Sequence, residues 1–223
     1  MDPYDILKYI PLFEGLPPKH IDALAGCAIQ KNYSSGQTIF TDTQEDRALY
    51  FIVWGRVKIY KASVDGREQT IFLFGPGEPF CLTALSDEFS PASAMALEDT
   101  RILMFPAEVL EDVARKEPSL LFNMLLVMSR RLKESLVLIE ALSLKEIPQR
   151  LASFLVHSQK QKRDPDVFDP GFSHRELAKI LGATPETLSR VLKKLSIEGI
   201  LSVEGRKITI HDHAALKELT RGS

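Results

Sequence analysis

The sequence predicts an α+β chain: a small antiparallel β-barrel bracketed by helices, then one long helix, then a C-terminal winged helix-turn-helix. Three observations carry this. Between Lys31 and Phe105 short alternating apolar segments are separated by turn residues; from Ser119 to Leu144 apolar residues recur at spacings of four and three; and from Phe172 to Leu195 two capped helical segments meet at a glycine. With 223 residues, 44% of them hydrophobic, the chain can bury two cores.

Helical periodicity comes first, in residues 2 to 10 and 18 to 28. The strands follow: Thr38–Thr41, Ala48–Trp54, Val57–Tyr60, Gln69–Phe74, Met95–Leu97 and Arg101–Phe105. Asp65-Gly66 is a hairpin signal, and Gly55 and Gly75-Pro-Gly77 mark further turns at the short spacing of a small barrel. Helix returns after Pro106. The longest stretch carries Leu121, Leu125, Met128, Leu132, Ile139 and Leu142, a heptad seam interrupted at Ser135, which calls for a second copy as partner. Met124, Val127, Leu136 and Leu138 widen the apolar surface, so one side can lie on the barrel. The expected organisation is residues 1–116 as a sensing barrel with flanking helices, 117–146 as dimerisation helix and hinge, and 147–223 as the winged helix-turn-helix.

In that last segment Ser173 can cap a helix with Glu176 three residues on, and Leu177, Ile180 and Leu181 form its apolar stripe. Gly182 stops it; Thr184 caps the next helix, with Pro185 at its first position and Gly199 beyond its end. At about 100° per residue, Leu188, Val191, Leu192 and Leu195 fall on one side of the second helix and Glu186, Ser189, Arg190 and Lys193 on the other. The first face docks and the second is free. An arginine fork, a carboxylate and a hydroxyl near a helix N-terminus can bond base edges, arginine to guanine and carboxylate to the cytosine amino group. Glu186, Ser189 and Arg190 are therefore the expected base readers. Ser173, Thr184, Thr187, Lys193 and Lys194 are expected on the DNA backbone, joined by Arg206 and Lys207 from the wing, Ile200–Val203, Glu204-Gly-Arg206, Lys207–His211. Charge agrees: residues 147 to 223 hold 13 Lys+Arg against 9 Asp+Glu (+4), and residues 1 to 146 hold 15 against 21 (−6), within a total of −2.

The same rows argue against other classes. No apolar run approaches the roughly 18 residues of a membrane span, and Met1-Asp-Pro-Tyr-Asp has no basic n-region, so no membrane contact and a cytoplasmic location are expected. Two cysteines exclude a four-cysteine metal or cluster site within one chain. The barrel carboxylates Asp65, Glu68, Asp87 and Glu88 sit at turns without metal spacing, and no histidine lies between residues 21 and 156, so no catalytic set is expected.

Barrel, long helix and winged helix-turn-helix, with Gly55, Gly75-Pro-Gly77-Glu78, Leu177-Ala-Lys-Ile-Leu-Gly182 and Pro185-Glu-Thr-Leu-Ser-Arg190, resemble the CRP/FNR superfamily of bacterial transcription regulators over nearly the whole chain. The resemblance implies a cyclic-nucleotide-binding-like double-stranded β-helix, an allosteric homodimer on double-stranded DNA, and RNA polymerase as partner. Glu-x-x-Ser-Arg at Glu186, Ser189 and Arg190 resembles the FNR branch, which implies a TTGAT-like inverted repeat. The effector is less defined. Cyclic-nucleotide-binding members carry Gly-Glu-Leu and then Arg-Ser; here the stretch reads Phe80-Cys-Leu-Thr-Ala-Leu85 and Ser90-Pro-Ala-Ser93, with Leu82 near the carboxylate's place and Pro91-Ala92 near the arginine's. No cation between Glu78 and Thr100 could meet a buried phosphate, which argues against cyclic AMP. Cys27 alone at the N-terminal end argues against the iron–sulfur branch. Elimination and the apolar Phe72, Phe74, Leu82 and Phe89 leave the haem-based gas-sensing branch, for which His20 is the candidate haem ligand. Phe72, Phe74, Phe80, Cys81, Leu82 and Met95 are the expected effector pocket. A small metabolite, thiol redox chemistry at Cys81, or a ligand sensor that does not bind DNA are the alternatives.

Overall fold

The computed structural model describes residues 3–43, 48–82, 90–159 and 166–221. By its contacts the chain divides into two units, residues 1–61 with 71–134, and residues 62–70 with 135–223.

The first unit opens with α1 (Pro3–Leu7), a 3-10 turn (Pro11–Phe13) and α2 (Pro18–Cys27). Eight strands follow: β1 (Ile29–Tyr33), β2 (Thr38–Phe40), β3 (Ala48–Trp54), β4 (Val57–Ala62), β5 (Glu68–Phe74), β6 (Pro79–Phe80), β7 (Ser93–Ala96) and β8 (Thr100–Pro106). They form two four-stranded sheets, in the orders β1-β8-β3-β6 and β2-β7-β4-β5. Every expected strand is present within a residue or two of its expected ends; β1 and β6 were not expected, and each is held by an antiparallel partner, Ile29 opposite Met104 and Tyr50 opposite Phe80.

Strand β3 shows how the unit holds together. Tyr50 and Ile52 point into a core between the sheets with Phe40, Val57, Ile59, Phe74, Phe80, Ala94 and Ile102. Leu49 and Phe51 point the other way, into a second core with Leu7, Phe13, Leu24, Leu110 and Leu120 from the helices. Side chains alternate across a strand, so a strand buried on both faces reads as an unbroken apolar run, as Ala48–Trp54 does. Gly55 turns the chain into β4 at φ +97°, and a Cβ there would lie 2.6 Å from the Asp99 carbonyl and Thr100 Cα. Only glycine fits that approach.

Helix α3 (Ala107–Lys116) precedes α4, which spans Pro118–Leu144, 27 residues. Leu120 and Met124 of α4 are buried in the helix-side core and Val127 packs on it. The seam around the helix from them, Leu121, Leu125, Met128, Leu132 and Ile139, is more than half exposed in the single chain, whereas Leu142 is half-buried. Leu136, expected to widen the barrel-facing side, is instead 60% exposed, because three turns separate it from Met124 and the barrel-facing row runs through Arg131.

In the second unit α5 (Ile147–Gln159) follows α4 after Lys145 and Glu146. Then come β9 (Val167–Phe168), α6 (His174–Leu181), α7 (Pro185–Ile197), β10 (Leu201–Glu204), β11 (Lys207–Ile210) and α8 (His213–Leu219). The wing is a three-stranded sheet, β10-β11-β9, because Phe168 pairs with Ile208 and Val167 with Thr209. Its core joins Leu151, Leu155, Phe168, Leu177, Leu181, Leu188, Leu192, Leu201, Ile208 and Leu216, each at most 5% exposed. No helix among the described residues is long and apolar enough to cross a membrane.

Candidate nucleic-acid interface and effector barrel

The two helices of the reading motif are fixed by their own ends. The Glu176 N–H donates to the Ser173 hydroxyl (3.3 Å), and the Thr187 N–H donates to the Thr184 hydroxyl (3.2 Å). The Glu176 carboxylate holds the Lys179 ammonium at 2.8 Å, an i,i+3 pair along α6. Gly182 adopts the left-handed conformation, φ +63°, and the Ala183 N–H closes back on the Ala178 carbonyl at 2.9 Å. These local bonds set the turn that lets α6 and α7 share Leu177, Leu181, Leu188 and Leu192 in one core.

With Leu188, Leu192 and Leu195 buried, the opposite face of α7 is open: Glu186, Ser189, Arg190, Lys193 and Lys194 are exposed, while Thr187 is half-buried with its hydroxyl 3.1 Å from that of Thr184. The Glu186 carboxyl is held below its ordinary range by a hydrogen bond from its own backbone N–H, then by the Thr184 hydroxyl and the charges of Arg190 and Arg175. It is therefore an ionised acceptor at neutral pH. Arg190 lies along the helix, its Nε 3.5 Å from the Glu186 carbonyl, and its fork is directed by the same turn that carries the carboxylate. At the wing, Gly205 turns at φ +60° between Glu204 and Lys207, which pair across the hairpin. Arg206 bends to Asp169, Nε to Oδ1 3.2 Å, so its positive charge is shared with a carboxylate before any DNA arrives.

In the barrel the structure gathers Phe72, Phe74, Phe80 and Cys81 on the core between the sheets. The rings stack: Tyr50 on Phe80 with centroids 5.1 Å apart, Phe40 on Tyr50 at 5.4 Å, Phe74 on Phe80 at 5.6 Å. Two residues leave the expected pocket. Cys81 has φ +65°, the only non-glycine residue among those described with positive φ, and this turn sends Leu82 to the helix-side core. Met95 sits opposite Lys58 in the β4–β7 ladder, outside that aromatic core. Phe89, Asp87 and Glu88 lie outside the described residues.

Two cations reach this unit from outside the stretch Glu78 to Thr100. Arg131 of α4 lies over Phe74, 4.2 Å from Cζ to the ring centroid; its Nη2 is 2.9 Å from Glu78 Oε1 and its Nη1 2.6 Å from Glu134 Oε2. Glu78 in turn accepts the Gly75 N–H at 2.7 Å, so one carboxylate ties the β5–β6 turn to α4. Lys58 is fully buried on β4 with Nζ 4.7 Å from the Tyr60 ring centroid. The signals were there: Arg131 follows Met124 and Val127 on one helix row, and Lys58 interrupts an apolar strand. The expectation of no cation concerns the stretch Glu78 to Thr100 alone; Arg131 reaches the aromatic core from α4, whereas Lys58, opposite Met95, lies on the face of its sheet away from Ile59 and Ala94.

His20 faces Glu117, Nε2 to Oε1 2.9 Å, with the two side chains 11% and 19% exposed. It is the only histidine of the first unit, so a haem iron would have to displace that carboxylate, and the stacked rings already occupy the core between the sheets. These residues do not fit a haem. Cys27 is exposed, and among the described residues no three His, Cys, Asp or Glu side chains converge as a metal site.

An aromatic-filled barrel, a long helix with an open apolar seam and a winged helix-turn-helix with a polar reading face together define a sensor-type transcription regulator. Comparison with known proteins agrees. The family described as "Cyclic nucleotide-binding domain" matches residues 30–117 and "Crp-like helix-turn-helix domain" matches residues 149–219. The chain is 33% identical over 217 residues to the "Cyclic AMP receptor protein" of Thermus thermophilus, covering 97% of this chain and 99% of that one. It is 33% identical over 194 residues to the "Fumarate and nitrate reduction regulatory protein" of Vibrio cholerae, covering 85% of this chain and 78% of that one. Among solved structures, FixK2 from Bradyrhizobium japonicum superposes with a TM-score of 0.78 at 26% identity, over 88% of this chain and 98% of that one. The chain belongs to the CRP/FNR superfamily of transcription regulators and is not an enzyme.

Proposed function

We propose that the chain acts in the cytoplasm as a homodimer on a TTGAT-like inverted repeat, with an effector in the barrel that is not cyclic AMP. The observation that carries the DNA reading is the face of α7: an ionised Glu186, Ser189 and Arg190 within the first two turns, open to solvent while the other face is buried. A seam on α4 shared by two copies would set two such helices about 34 Å apart, one turn of DNA, which suits an inverted repeat. Promoter-bound, the dimer would meet RNA polymerase. An effector matters only if it favours one dimer arrangement over another, and a few kcal/mol suffices.

Against cyclic AMP stand Leu82, which packs on the helix-side core, and Pro91-Ala92, which offer no charge. The name of the Thermus relative makes cyclic AMP the first compound to test: neither its DNA affinity nor its melting temperature is expected to move, and a saturable shift in either would refute this part. For the DNA reading, Arg190→Ala should cost about 1–3 kcal/mol on the best site and relax preference at one base pair, whereas Lys193→Ala should weaken all sequences alike. Normal affinity and selectivity in Arg190→Ala would remove the base-reading assignment.

A further inference from the structure

The last turn of α6 is held by side chains from elsewhere in the second unit. The final carbonyls of a helix have no partner within it, and local caps or water ordinarily take them. Here Arg150 of α5 donates Nη1 to the Leu181 carbonyl at 3.0 Å, and Gln69 donates Nε2 to the Ile180 carbonyl at 3.3 Å. Lys179, one residue earlier, reaches Glu68 at 2.8 Å. The other donors of Arg150 go to the end of α4 and the segment after it, Nη2 to the Leu142 carbonyl at 3.0 Å and Nε to that of Lys145 at 2.8 Å. One guanidinium therefore ties the end of the long helix to the end of the first helix of the reading motif. Gly182 closes the joint: a Cβ there would lie 2.7 Å from Leu142 Cδ2, 2.9 Å from Gln69 Oε1 and 3.2 Å from Arg150 Nη1. Leu142, half-buried in the single chain, is itself a residue of the seam.

We propose that Arg150 is a positioning residue: it fixes the angle between α4 and the reading motif, and so sets which spacing of half-sites the dimer accepts. The proposal rests on the reading of the chain as a homodimer whose two α7 helices read an inverted repeat. The guanidinium is a planar, rigid fork, and three bonds from it to carbonyls of two helices and of the segment after α4 fix an angle as well as a distance. Because α6 and α7 bury Leu177, Leu181, Leu188 and Leu192 together, an orientation imposed on the end of α6 is passed to the reading face. At its other end the joint grips α4, a single helix from Pro118 to Leu144 that carries the seam, so both reading helices are referred to one dimer axis. Half-site spacings that differ by one base pair differ by about 3.4 Å along the duplex and about 35° around it. A rigid joint cannot follow that rotation. A loosened one follows it by swinging each α7 through about half the angle. Arg150 touches no base in this arrangement, so it acts on spacing and leaves the half-site sequence to Glu186, Ser189 and Arg190.

The test is fluorescence anisotropy of the full-length protein on the inverted repeat at its best spacing, on the same repeat with one base pair inserted or removed, on a single half-site and on a scrambled duplex. Ratios between duplexes do not depend on the fraction of protein that is folded, so they separate positioning from stability. The wild type should favour its best spacing over either neighbour by about tenfold or more, because a displaced half-site forfeits base contacts. Arg150→Met, and Arg150→Lys, whose single ammonium cannot hold three carbonyls at fixed angles, should narrow that preference to about threefold or less while keeping the wild-type preference for the half-site over scrambled sequence. Leu216→Ala loosens the core of the same unit away from the joint and should keep the wild-type spacing ratio. Wild-type spacing ratios in both Arg150 variants, an equal narrowing in Leu216→Ala, or a loss of half-site selectivity in the Arg150 variants would overturn the proposal. A wild type that selects the half-site but accepts every spacing alike refutes the joint and leaves α7 as reader. One that does not tell the half-site from scrambled DNA removes the reading of α7, and the proposal with it.

Discussion

Leu132 offers a direct test of the seam on α4. In the single chain it is 64% exposed, and Leu121, Leu125, Met128 and Ile139 on the same seam are 52–60% exposed. Full burial of a leucine is worth about 1.5–3 kcal/mol, so covering the remaining surface against a second copy should give roughly 1–2 kcal/mol per side chain. Two-fold symmetry places the residue in the interface twice. With the retained Cβ allowed for, Leu132→Ala should weaken the dimer by about 2–3 kcal/mol, or roughly 30- to 150-fold in dissociation constant. Folding of the isolated protomer should change by less than about 1 kcal/mol, because the side chain makes little of its contact within one chain. Sedimentation equilibrium over a concentration series reads the first quantity and thermal melting of the dilute protein the second. Lys133→Ala, one residue round the helix and exposed, is the control. A Leu132→Ala protein with wild-type melting and an unchanged dissociation constant would show that this face does not join two copies.

Arg150 donates three hydrogen bonds to helix-terminal carbonyls, Nε to Lys145 at 2.8 Å, Nη2 to Leu142 at 3.0 Å and Nη1 to Leu181 at 3.0 Å. Those carbonyls lose their partner in Arg150→Met, which should destabilise the C-terminal unit by about 2–4 kcal/mol in urea unfolding; a loss below about 0.5 kcal/mol would show that water replaces the guanidinium freely. At Cys81, φ +65° reverses the usual order of small residues, so Cys81→Gly should be more stable than Cys81→Ala by about 1 kcal/mol in the same assay. The opposite order would mean that this backbone conformation is not held in solution. Asp42 has its carboxyl held below the ordinary range, first by the hydrogen bond from Lys61 at 2.8 Å. A depressed carboxylate stabilises the fold above its unfolded-state value and loses that contribution as pH falls through the folded one, so Asp42→Asn should flatten part of the acid limb between pH 5 and 2; an identical limb would deny the pair any role.

The sequence by itself determined the reading motif and the seam, because both depend on neighbours. Ser173, Thr184 and Gly182 specify helix ends through bonds that span three to five residues, and the faces of α7 follow from the helical repeat alone. The seam of α4 is likewise a spacing. What only the tertiary structure decided depends on residues far apart in the chain. Pro79–Phe80 and Val167–Phe168 are too short to show a period and are strands only because Tyr50–Phe51 and Ile208–Thr209 supply their hydrogen-bond partners. A positive φ at Cys81 carried Leu82 from the expected pocket to the other core, and no side-chain pattern announces that turn. Arg131 counts as a pocket-side charge only once α4 lies on β5. Local bonds write themselves into adjacent residues, whereas burial, pairing and charge environment are set by whatever the fold brings alongside.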